Sequence, residues 1–224
     1  MSSRELRIQV GERVGEVSTL LVRPEKAKWL LVLAHGAGAG MRHAFLETLA
    51  CELAAVSVAT LRYQFPYVEQ RRRRPDPPGV LTATVRAAVR AAAEAAPDLP
   101  LLAGGKSLGG RMASLAASEQ PLEGVCGIVF FGFPLHPPKQ PGMKRAEHLA
   151  RMTVPMLFLQ GTRDTLADLN LLRPVCKQLG SRATLHVIET ADHSFRVLKR
   201  AGKSDAEVLR ELSQTLAEWA GALS

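Results

Sequence analysis

The run Leu101-Leu102-Ala103-Gly104-Gly105-Lys106-Ser107-Leu108-Gly109-Gly110 sets a serine between two glycines in the pattern G-x-S-x-G. A serine hydroxyl is a weak nucleophile until a base takes its proton. The pattern suits that chemistry when an apolar strand precedes it and a helix follows, because the serine then stands on a strained turn above a sheet. Gly105 and Gly109 leave the room such a turn needs. At the helix N-terminus, the dipole and free amides favour a developing anion. Five residues of this kind also fit an ordinary turn, so context decides. Here LPLLA reads as a strand, and LGGRMASLAAS reads as a helix.

A base for Ser107 is expected downstream, after a late strand. His193 answers that description, following ATLHVI in Glu189-Thr190-Ala191-Asp192-His193-Ser194-Phe195. His186 falls inside the strand itself, His43 and His148 fall in predicted helices, and His136 falls in a proline-rich loop. The acid is expected between nucleophile and base. Asp164 follows the strand-like MLFLQ in Gly161-Thr162-Arg163-Asp164, with Asp168 in reserve. Either could instead cap a helix or a turn. Asp192 is set aside because adjacent side chains rarely face one another.

An oxyanion needs preorganised N–H donors. The amide of Leu108 is one candidate. The other lies in His35-Gly36-Ala37-Gly38-Ala39-Gly40, where Ala37 is preferred and Gly38 is the reserve. Arg42, Lys106 and Arg111 lie near these motifs and are expected in ion pairs or solvent. Two rival motifs fail. A phosphate loop ending Gly105-Lys106-Ser107 needs glycine where Pro100 stands, and G-x-G-x-x-G meets Met41 in one frame and His43 in the other. No metal-ligand spacing is present, so no metal or organic cofactor is expected.

These residues need a scaffold that brings distant loops together. Continuous apolar runs at 29–34, 56–61, 99–103, 125–131, 155–160 and 183–188 fit strands buried on both faces of a mostly parallel sheet. Segments 4–10 and 17–23 alternate and suggest a hairpin around Gly11 and Gly15. Helical spacing occupies 43–54 and 80–96. The final helix opens on Ser204-Asp205-Ala206-Glu207, a capping-box spacing. In segment 166–179, Pro174 places the helix start near Arg173. Residues 62–79 read as a long surface loop that packs Phe65 and Tyr67, and 132–145 as a second irregular loop with a small helix near 145–152.

The 224 residues can bury one full core, and 46% hydrophobic residues exclude a disordered chain. The expectation is one domain over 1–224. No apolar run is long enough to span a bilayer, and the N-terminus shows no apolar leader. The 3 cysteines, odd in number and far apart, read as reduced and mostly buried thiols in a cytoplasmic protein. Lys plus Arg is 29 against 21 Asp plus Glu, giving a formal charge of +8. Arg71–Arg74 read as a solvated loop; a polyanion-binding arm is the rival reading, and nucleic acid is not expected as a partner.

Taken in order, HGAGAG, GKSLGGR, GTRD and ADHSF make the chain resemble the α/β-hydrolase superfamily over its length. With Phe65-Pro66-Tyr67 before the arginines, it is similar to the dienelactone-hydrolase-like branch that includes relatives of testis-expressed protein 30 and the NSL-complex hydrolase-like subunit. The alternation of strands and helices implies an α/β fold of about seven or eight strands with helices on both faces, and the roughly twenty residues between the strands ending at Phe131 and starting at Pro155 leave room for minimal or no cap. The reaction expected of these residues is that of a serine hydrolase acting on a small-molecule ester, thioester or related acyl bond. The resemblance implies a triad of Ser107, Asp164 and His193 and an oxyanion loop at 36–38. It names no substrate; dienelactone hydrolases proper use cysteine where Ser107 stands. The alternative is a non-catalytic scaffold with the same fold.

Overall fold

Strands with apolar residues on both faces are stable only when helices cover both sides of the sheet. That is the architecture of the computed structural model, which describes residues 2–223. Eight strands lie among the described residues: β1 (Ser2–Gly11), β2 (Gly15–Arg23), β3 (Trp29–Ala34), β4 (Val58–Tyr63), β5 (Leu101–Lys106), β6 (Val125–Phe131), β7 (Met156–Gly161) and β8 (Ala183–Ile188). They form one sheet in the order β1-β2-β4-β3-β5-β6-β7-β8. The hairpin β1–β2 and the pair β2–β4 are antiparallel, and every other pair is parallel.

The helices are α1 (Ala44–Ala55), α2 (Pro66–Glu69), α3 (Pro78–Ala95), α4 (Leu108–Glu119), α5 (Leu169–Leu179) and α6 (Asp205–Gly221). Alternation along each strand splits the core in two. Leu30, Val32 and Ala34 face Leu81, Val85, Met112 and Leu172 from α3, α4 and α5. Leu31 and Leu33 face Leu46, Leu49 and Leu212 from α1 and α6. Trp29 and Trp219 both belong to this second side. Each fully buried leucine contributes about 1.5–3 kcal/mol relative to exposure. The capping box at Ser204 forms as its spacing implies.

Several boundaries differ from the sequence reading, each for a local reason. β4 starts two residues late because Ser57 turns at φ +64. β5 starts after the turn that Leu99 closes onto Ala96. α5 begins at Leu169, not near Arg173: Asp168 caps it by accepting from Asn170 N, and Pro174 is carried inside. The segment 62–79 is not one loop; Arg62 and Tyr63 finish β4, α2 follows, and α3 starts at Pro78. Arg71–Arg74 are exposed, as expected. The cysteines correct the reading: all are free, yet Cys51 and Cys126 are exposed and only Cys176 is buried. Cys51 lies on the outer side of α1, and Cys126 interrupts an otherwise buried β6. Among the described residues, no helix is long and apolar enough to cross a membrane.

Candidate active site

Ser107 is the turn between β5 and α4. Its backbone sits at φ +51, a region costly for any residue with a Cβ. The turn is possible because its neighbours lack side chains. A Cβ on Gly105 would stand 2.4 Å from the Ala34 carbonyl oxygen, and one on Gly109 would stand 2.6 Å from the same atom. β3, β5 and α4 therefore approach closely enough to lift the hydroxyl over the carboxyl end of the sheet, where the parallel strands present their loops.

His193 reaches that hydroxyl from the loop after β8. Its Nε2 lies 2.9 Å from Ser107 Oγ, and its Nδ1 lies 2.7 Å from Asp164 Oδ2. Asp164 follows β7 and is buried. Its Oδ2 also accepts from Gln160 Nε2 at 2.5 Å, and its Oδ1 accepts from Leu166 N at 2.8 Å. A carboxylate facing only donors makes Nδ1 the protonated nitrogen of His193, which leaves the Nε2 lone pair for the serine O–H. The reserve acid Asp168 is not part of this group, since it caps α5. Asp192 accepts from Ser194 N and Arg196 N and shapes the histidine loop.

The oxyanion candidates divide. Ala37 lines a cavity of about 310 Å³ together with Ser107 and His193. Leu108 opens α4 directly after the serine, so its amide has no acceptor within the helix. Among the described residues neither amide donates elsewhere. Gly38, at φ +72, has its backbone against the Tyr67 hydroxyl, whose pKa burial raises and that backbone partly offsets. The loop is held from below by His35, which is fully buried. Its Nδ1 faces Gly36 O and its Nε2 accepts from Phe65 N, while burial pushes the imidazole down to about 4. A neutral ring is what both contacts require.

Of the three nearby cations, Arg42 pairs with Glu5. Arg111 is half-buried beside Arg145, and burial, then Arg145, lowers its pKa. Lys106 lines the same cavity as Ser107 and His193 and donates its ammonium to the His193 carbonyl. Phe45, Leu46, Leu166 and Ala39 give the cavity apolar walls.

Three supporting residues escaped the sequence reading, although each left a signal. Gln160 is a polar residue at the end of the apolar run PMLFLQ; it accepts from Phe133 N while donating to Asp164. Gly132 follows β6 at φ +73, and a Cβ there would meet Lys106, His193 and Asp164. His35 is a histidine at the end of a wholly buried strand.

Solved structures share this architecture. A dienelactone hydrolase from Anabaena variabilis superposes with a TM-score of 0.76 at 23% identity, covering 99% of this chain and 97% of that one. An alpha-beta serine hydrolase homologue from Coxiella burnetii gives 0.75 at 22%, covering 97% of each chain. An a/b serine hydrolase without lid from Xanthomonas campestris gives 0.74 at 19%, covering 98% of this chain and 95% of that one. At these identities the likeness is one of fold. The sequence carries the closer relationship: residues 27–221 match the model described as alpha/beta hydrolase domain. That stretch takes in the serine, the carboxylate, the histidine and the glycine loop, and the chain belongs to the alpha/beta hydrolase domain family.

Proposed function

We propose that this protein is a serine hydrolase that cleaves an ester, thioester or related acyl bond through an acyl-enzyme at Ser107. The observation that carries the reading is the unbroken relay from Ser107 Oγ through His193 to Asp164, at 2.9 and 2.7 Å. In the first half-reaction Ser107 Oγ attacks the acyl carbonyl as His193 Nε2 takes the hydroxyl proton. Asp164 holds the ring in its tautomer and stabilises the imidazolium. The amides of Ala37 and Leu108 receive the oxyanion. The carbon–leaving-group bond then breaks, with the proton passing from Nε2 to the leaving group. Water, deprotonated by the same nitrogen, releases the acid and restores Ser107.

The cavity, about 310 Å³ with apolar walls and open to solvent, supports a small or solvent-presented acyl group. Within the family, the motifs GKSLGGR and Phe65-Pro66-Tyr67 support the branch of testis-expressed protein 30 relatives. The test is a fluorophosphonate probe, which reacts preferentially with an activated serine. The wild-type chain is expected to label, and Ser107→Ala is expected not to. A folded wild-type chain that stays unlabelled would favour the non-catalytic scaffold.

A further inference from the structure

His193 sits on a stretch with little regular structure. No helix or strand covers residues 189–198, and both Thr190 and Phe195 take positive φ. Its neighbours are secured: Phe195 is buried and stacks on Phe45 at 5.9 Å, and Arg163 N donates to Ala191 O at 2.9 Å. The histidine's own carbonyl has one donor among the described residues, the ammonium of Lys106.

Lys106 is well placed to act as a fixed-length tie. It is the last residue of β5, in register with Phe131, and it directly precedes Ser107. Its ammonium lies 5.4 Å from the Phe195 ring centre and 5.9 Å from that of Phe45, distances at which aromatic faces attract a cation. The Cβ position of Gly132 is 3.1 Å from Lys106 Nζ, 3.4 Å from His193 Nδ1 and 3.5 Å from Asp164 Oδ2. Ammonium, imidazole and carboxylate thus surround one point. Burial pushes the lysine down to about 8, against the pull of Asp164 and Asp192. That range would suit a lysine base, yet Nζ is committed to a carbonyl, and Ser107 Oγ is bonded to His193.

We propose that Lys106 is a positioning residue: by fastening the His193 carbonyl to the strand that ends at Ser107, it keeps the imidazole in line between the serine and Asp164. The proposal rests on the serine hydrolase reading. Its role is indirect, so its loss should slow chemistry without weakening binding. A displacement of about 1 Å in such a relay costs on the order of 10²-fold.

The experiment compares fluorophosphonate labelling of wild type, Lys106→Met and Lys106→Arg across probe concentrations, with melting followed alongside. Methionine keeps the stem and removes the donor; arginine keeps a charged donor that also stacks on aromatic rings. The expected result is a maximal labelling rate about 10–10² times slower in Lys106→Met, an unchanged half-saturating concentration, and recovery of most of the rate in Lys106→Arg. Should Lys106→Met melt early, Lys106→Leu, which also removes the donor, replaces it. A folded Lys106→Met that labels like wild type overturns the proposal. So does a loss confined to the half-saturating concentration, which would make Lys106 a binding residue. A wild-type chain that does not label removes the hydrolase reading itself, and the proposal with it.

Discussion

Nε2 of His193 lies 2.9 Å from Oγ of Ser107, although 86 positions separate the two along the chain. The serine pays for this placement with a backbone at φ +51. Both Ser107→Ala and Ser107→Gly should abolish probe labelling. They should differ in stability, because glycine adopts positive φ freely and alanine does not. Ser107→Gly is expected to melt above Ser107→Ala by the equivalent of about 1 kcal/mol. Equal melting temperatures would mean the elbow stores no strain.

Asp164 fixes which nitrogen of His193 carries the proton. In Asp164→Asn the carboxamide can present N–H to Nδ1 and select the wrong tautomer. Labelling and turnover should fall about 10⁴-fold, while the probe still binds. Gln160 faces Asp164 from β7, so a smaller loss in Gln160→Leu would show the support it lends. Activity within tenfold of wild type in Asp164→Asn would remove Asp164 from the relay.

Gly132→Ala tests the crowding around the relay. The added methyl would lie within 3.1–3.5 Å of Lys106, His193 and Asp164 at a residue with φ +73. A strong loss of labelling is expected, with a modest fall in melting temperature. Full activity in this variant would contradict the packing described here.

Two buried imidazoles predict the acid limb of stability. Burial pushes both His35 and His148 down to about 4 from an ordinary 6.5. Between those values the unfolded chain binds protons that the folded chain refuses. Stability therefore falls as pH drops from 6.5 towards 4, and these two groups add no further loss below that. Each contributes a slope of at most about 1.4 kcal/mol per pH unit. Urea unfolding at stepped pH should show the decline, and it should be shallower in His148→Gln. An identical slope in that variant would exclude His148 as a source.

Strands and elbow were legible in the sequence because their signals are local. Unbroken apolar runs state which segments lie inside a covered sheet, and glycines beside Ser107 state where chains meet. The order of Ser107, Asp164 and His193 was legible for a related reason: each follows a strand, and parallel strands deliver their ends to one edge. Partnerships made across the fold were not. Lys106 reads as ion-paired or solvent-facing until its ammonium is seen on the His193 carbonyl, and Gln160 reads as a strand end until Asp164 is beside it. The start of α5 is hidden in the sequence because Pro174 weighs against a helix locally, whereas the Asp168 cap and the burial of Leu172 outweigh it.

The two tryptophans give the sheet an asymmetry that optics can exploit. Trp29 and Trp219 both pack on the side covered by α1 and α6. The opposite layer, with α3, α4 and α5, holds neither indole. Tryptophan emission, excited selectively so that Tyr63 and Tyr67 of the other layer stay dark, therefore watches the detachment of the carboxyl-terminal helix. A tryptophan-fluorescence melt of this chain is a one-sided record, and comparing it with far-ultraviolet dichroism reveals whether the two layers part company together.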